Sequence, residues 1–165
     1  MSRKAFKGGV TDTSTTLSNM GEIGDRRFVG GKTYRLVYCA TTQAEDAILY
    51  LDSVDTDLAS YQVQACVTAT NPAFGVNDTG ATIASGTYIW CQSGGPWKGN
   101  YTAFSTKAST AAESPLYLDA DGKIGSTYST DNSASIGQSI AALTSVASTL
   151  DDAGPYTVYL RMLGA

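Results

Sequence analysis

The side chains that could do chemistry are few, and what they lack is decisive. The chain has no histidine, so the commonest general acid/base and metal ligand is missing, and with it the ordinary Ser-His-Asp and Cys-His arrangements. The cysteines, Cys39, Cys66 and Cys91, lie 27 and 25 residues apart with no C-x-x-C pair, so neither a zinc site nor a dithiol redox motif is indicated. An odd number at wide spacing fits small buried apolar residues in a reducing compartment, with one disulfide as the alternative. Carboxylates cluster at Asp52, Asp55 and Asp57 and at Asp151 and Asp152. Acid–base cleavage of a glycoside needs two carboxyls held across a cleft, whereas Asp clusters in polar loops are the mark of solvated turns. Asp119-Ala120-Asp121-Gly122 opens like a calcium loop, but Lys123 takes the third oxygen position and no Glu closes it, so an Asp-Gly turn explains it better. The Gly pairs at 8–9, 30–31 and 94–95 form no nucleotide-binding fingerprint. The expectation is a protein that is not an enzyme, with no catalytic residues, no metal site and no cofactor.

Aromatic side chains offer recognition instead. Trp90, Trp97, Tyr88 and Tyr101 gather around the turn-like stretch "QSGGPWKGN". Trp90 sits inside an apolar run and reads as core. Trp97, beside Gly94, Gly95, Pro96 and Lys98, is open to three roles: an oligomer or surface contact with Lys98 and Tyr101, a core residue, or a sugar-stacking platform. The sequons at Asn77 and Asn100 carry no weight without a secretion signal.

The elements that must position these residues are strands. "TYRLVYCA" alternates Tyr34, Leu36 and Tyr38 against Arg35, Val37 and Cys39. "AILYL" at 47–51 suits a strand buried on both faces. "SYQVQACV" puts Tyr61, Val63, Ala65 and Val67 inward, and the closing "GPYTVYLRMLG" puts Tyr156, Val158, Leu160 and Met162 on one face. Asn71-Pro72, Asn77-Asp78 and Gly80 punctuate these runs as turns, and 104–114 reads as a loop. Only "SASIGQSIAALTSVAST" has any helical possibility, and Gly137 among Ser, Thr and Val makes it extended or irregular. Ten tyrosines support the strand reading. With 165 residues, 42% of them apolar and only 16% charged, the chain suits an all-β domain, a small β-barrel or sandwich over 31–165, preceded by an extended N-terminal arm over 1–30.

That arm is polar, rich in Gly and without a sustained period, so it has either to be disordered or to lie on a partner. Charge singles it out. Residues 1–35 carry seven basic side chains against three acidic, and the remainder carries four basic against twelve acidic within a net charge of −4. Arg3, Lys4, Lys7, Arg26 and Arg27 are the cations such an arm would offer an anionic partner, and Met20, Ile23, Phe28 and Val29 are its candidate anchors. An acidic whole chain disfavours nucleic acid. No stretch approaches the ~20 apolar residues of a membrane span, and the N-terminus has no secretory apolar run.

Three segments together, "FGVNDTGATIASGTYIWCQSGG", "SPLYLDADGKIG" and "ASIGQSIAAL…VYLRML", resemble the capsid decoration (cement) and head-fibre proteins of tailed bacteriophages, over roughly 31–165. The resemblance implies a catalytically empty virion protein on the outer capsid surface. It would be made in the bacterial cytoplasm, bind the major capsid protein and associate with copies of itself as a dimer or trimer. Its arm would lie on the lattice, so deleting residues 2–30 should abolish binding while leaving the barrel folded. A carbohydrate- or receptor-binding virion protein and a tail or neck subunit are the alternatives.

Overall fold

The computed structural model describes residues 8–17, 20–52, 61–68, 72–99, 113, 115–119, 122–125, 136–139 and 156–162. Among them there is no α-helix, and the chain runs through ten strands. They are β1 (Arg26–Val29), β2 (Lys32–Cys39), β3 (Ile48–Leu51), β4 (Gln62–Ala65), β5 (Ala73–Val76), β6 (Thr87–Gly99), β7 (Pro115–Leu118), β8 (Ile124–Gly125), β9 (Gly137–Ser139) and β10 (Tyr156–Arg161). The fold is all-β, as the alternation and turn chemistry imply.

Five strands close a small barrel in the order β2-β4-β3-β5-β6, with β6 pairing back onto β2. All these pairings are antiparallel except β2 with β4. So narrow a ring is filled by its own side chains: Val37, Cys39, Leu49, Val63, Phe74, Ile83, Ile89 and Cys91 form its buried interior. Gly75 lies on a wall of this core, and a Cβ there would stand 2.8 Å from Cys91 Sγ and 3.0 Å from the Gln92 carbonyl oxygen.

The strand β6 outlasts the barrel. Its first half pairs with β2 and its second half, from Gly94 to Gly99, pairs with β10, which continues into β9, β7 and β8. The change of partner falls at a bulge, where Gln92 opposes Tyr34, Gly94 opposes Thr33 and Ser93 has no opposite number. Gln92, fully buried, donates from Nε2 to the carbonyls of Gly94 (3.1 Å) and Pro96 (3.0 Å), tying down the backbone where the strand changes direction. The second sheet folds against the outside of β3 and β5. Between them lies the largest apolar cluster, with Ile48, Ala73 and Val76 from the barrel and Trp97, Leu116, Val158 and Leu160 from the sheet.

This layering explains β3. Ile48 and Tyr50 pack into the outer core while Leu49 and Leu51 pack into the barrel, so the strand is covered on both faces as "AILYL" suggests. Val158, Leu160 and Met162 share the buried face foreseen for the last strand, the side chain of Tyr156 lying outside what the structure describes, and Ile136 with β9 is extended. One alternation fails. Val63 is buried, but β4 ends at Ala65, Cys66 N donates to Ile48 O (2.7 Å) and its side chain enters the outer core, leaving Val67 65% exposed.

Candidate interaction surface

The basic N-terminal region supplied most of the candidate contact residues, and the described part of it lies against the chain's own sheet. Arg26 to Val29 form β1, paired with Lys32 to Arg35 of β2 through a tight turn at Gly30-Gly31. Both glycines have positive φ, 58° and 79°, the geometry of a two-residue hairpin turn that side-chain-bearing residues resist. Upstream, Ser14 pairs with Tyr88 by mutual backbone hydrogen bonds of 3.2 and 2.7 Å. Gly24 N donates to Leu36 O (2.8 Å), and Leu36 N to Asp25 O (3.0 Å).

This segment covers the outer face of β2 and β6. Met20, Tyr34, Leu36 and Trp90 form a small buried cluster, joined by Val10, Leu17 and Tyr88. A polar segment without its own core has thus found the third option, besides disorder and a partner: it covers the apolar outside of the barrel. Met20, a candidate capsid contact by sequence, is 4% exposed and spent on this cluster.

The cations divide accordingly. Arg27 is half-buried, its guanidinium carbon 4.7 Å from the centroid of the Trp90 ring and its Nη1 donating to Gly8 O at 2.7 Å. Burial lowers its pKa and Asp12 nearby opposes that shift. Arg27 therefore fastens residue 8 onto β6. Arg35 donates to Gly24 O (2.9 Å). Lys32 and the Tyr34 hydroxyl both reach Asp78 Oδ2, at 2.9 and 3.1 Å. Desolvation, and then the Asp78 charge, push the Tyr34 phenol up from its ordinary value. Arg26 is exposed, with its guanidinium 5.8 Å from the Phe28 ring centroid.

Two large apolar side chains stand exposed side by side on β1. Phe28 is 72% and Val29 48% exposed, beside an open groove of about 980 Å³ lined by Gly8, Gly9, Val10 and Arg26 to Val29. Trp97 is not part of such a surface. It is 1% exposed and packs with Val158 and Leu160 in the outer core, because alternation along β6 turns Trp97 inward and leaves Pro96 and Lys98 outward. The sugar platform drawn around Trp97 loses its central ring by the same fact. Arg3, Lys4, Lys7 and Tyr101 lie outside the described residues, as do Asp55, Asp57, Asp151 and Asp152.

Cys39, Cys66 and Cys91 are free and buried, with thiols pushed up to about 12 by burial. The turn before β8 is made as the Asp-Gly sequence suggests: Gly122 N donates to Asp119 O (2.9 Å), with φ of 75°. Among the described residues no three His, Cys, Asp or Glu side chains gather as a metal site, and no helix is long and apolar enough to cross a membrane.

What sequence reasoning missed is Tyr159, 52% exposed on β10. Strict alternation around Val158 and Leu160 held the signal, since it forces the residue between them outward.

No protein-family model matches the chain, and no curated protein matches it in sequence. Among solved structures, the N base of head fibre gp8.5 of bacteriophage phi29 is similar, with a TM-score of 0.48 at 10% identity, covering 78% of this chain and 93% of that one.

Proposed function

We propose that the protein is a non-enzymatic structural component of a phage virion that binds the outer capsid surface and stabilises contacts between major capsid proteins. The observation that carries this is the exposure of Phe28 and Val29 on a hairpin beside Arg26. An aromatic left in water on a rigid strand, with a cation next to it, is the composition of a protein-docking patch. It agrees with the strand-turn segments that resemble decoration and head-fibre proteins. The role is mechanical: a subunit spanning capsomers adds buried area across joints that internal pressure would open. Copies associated as dimers or trimers would hold through avidity even where each contact is modest.

Co-sedimentation with phage heads stripped of this protein, over a salt series, tests the reading. Saturable binding that weakens with salt is expected. Absence of binding, with the free protein forming rings or tubes, would replace it with a tail or neck subunit.

A further inference from the structure

The exposed residues of the hairpin and of the second sheet are linked through paired strands, across the bulge at Ser93 and a buried Gly94. Phe28 pairs with Thr33, Thr33 with Gly94, and Gly94 with Arg161. This row of paired residues crosses β1, β2, β6 and β10, about 14 Å at the ordinary strand spacing. Two residues further along β6, and two back along β10, a second row runs from Pro96 through Tyr159 and Gln138 to Pro115. Residues two apart on a regular strand share a face, which joins Arg161 to Tyr159 along β10 and Pro96 to Lys98 along β6, whereas Gly95, with φ of 89°, interrupts the alternation between Gly94 and Pro96. Over β6, β10 and β7 the reverse side, with Trp97, Val158, Leu160 and Leu116, is the one packed on the barrel. Phe28, Pro96, Lys98, Tyr159 and Arg161 are all exposed.

Charge among these exposed residues is one-sided. Lys98 and Arg161 are two of the four basic residues beyond position 35, a region holding twelve carboxylates. The ten described strands contain six cations, Arg26, Arg27, Lys32, Arg35, Lys98 and Arg161, and not one Asp or Glu. Every described carboxylate of this acidic protein thus lies outside the described strands.

We propose that Phe28 on the hairpin and Lys98, Tyr159 and Arg161 on the second sheet together form the docking surface for an acidic protein surface bearing an apolar patch, on a protein other than a second copy of this chain. Two copies meeting by this surface would set Lys98 and Arg161 against their own kind, and like charges brought together across an interface are unfavourable. Exposed Phe28 and Tyr159 supply desolvated anchors, and the cations supply steering and register. This inference rests on the virion reading above, with the capsid as the acidic partner, and moves the contact from a flexible arm to the rigid sheet.

The test uses the full chain with two double variants, Lys98→Glu/Arg161→Glu and Phe28→Ser/Tyr159→Ser, on stripped heads, with sedimentation of the free proteins alongside. Each pair is expected to raise the dissociation constant tenfold or more, leaving the free protein's circular dichroism and sedimentation unchanged. If the apolar pair does not fold, the charge pair decides alone. Variants that bind heads as the wild type does overturn the docking surface while leaving the virion reading standing. Variants that change self-association overturn it in favour of a second copy. A wild-type chain that does not bind heads removes the virion reading, and this assignment with it.

Discussion

Cys39, Cys66 and Cys91 act as small apolar residues. A buried thiolate has no solvation, so the folded protein holds the proton until about pH 12, while the unfolded chain releases it at the ordinary thiol value near 9. The folded pKa is raised, so this contribution to stability is complete below about pH 9 and disappears as pH rises toward 12. Tyr34 shifts in the same direction. Urea unfolding at a series of pH values is expected to show a falling midpoint across that window, and a thiol reagent at neutral pH should modify the cysteines only on unfolding. Gly75 tests barrel packing at the same scale. Gly75→Ala must displace Cys91 Sγ or the Gln92 carbonyl, and a cost of about 1–3 kcal/mol is expected from chemical denaturation.

The hairpins are the elements where local sequence and tertiary contact coincide. Gly122 combines positive φ with a carbonyl in the way, since a Cβ there would stand 2.0 Å from Cys66 O. The turn between β7 and β8 therefore packs directly on the end of β4, and no side chain fits between them. Gly122→Ala is expected to destabilise the protein by roughly 1–3 kcal/mol, measured as a lowered thermal midpoint, whereas Gly80→Ala, with open space at its Cβ, should cost only the strain of its positive φ. The Asp-Gly turn was legible as a turn because Gly tolerates that backbone. Its contact with Cys66 was not, because the two are far apart in sequence.

Over the whole molecule, three apolar layers succeed one another: the barrel interior, the outer core under the second sheet, and the small cluster under the N-terminal segment. The last layer alters what truncation should do. Removing residues 1–25 takes away Met20, Val10 and Leu17 and uncovers Tyr34, Leu36 and Trp90. The expected outcome is a lower melting temperature and a red shift in tryptophan emission from Trp90, with Trp97 remaining in the outer core. A truncation to residue 30 also deletes β1 and Phe28, so loss of head binding by such a variant would not by itself implicate a flexible arm. The point substitutions on the sheet face separate the two.

The all-β class, both covered faces of β3, the turn at Gly122 and the inward set Val158, Leu160 and Met162 could all be read from the sequence, because each depends on the period-two geometry of a strand or on the φ of one residue. The absence of histidine likewise settled which chemistry the side chains could not do. Tertiary structure decided the rest. Alternation says that Trp97 and Pro96 point opposite ways, but not which side meets the barrel, so Trp97 became core and Pro96 surface. The basic segment looked like an arm because its few apolar residues cannot form a core alone; Met20 and Leu17 needed Trp90, some seventy residues away, to complete one. The link from Phe28 to Tyr159 exists only through the pairing of β1, β2, β6 and β10. Such register is fixed by contacts between distant strands, which no local pattern encodes.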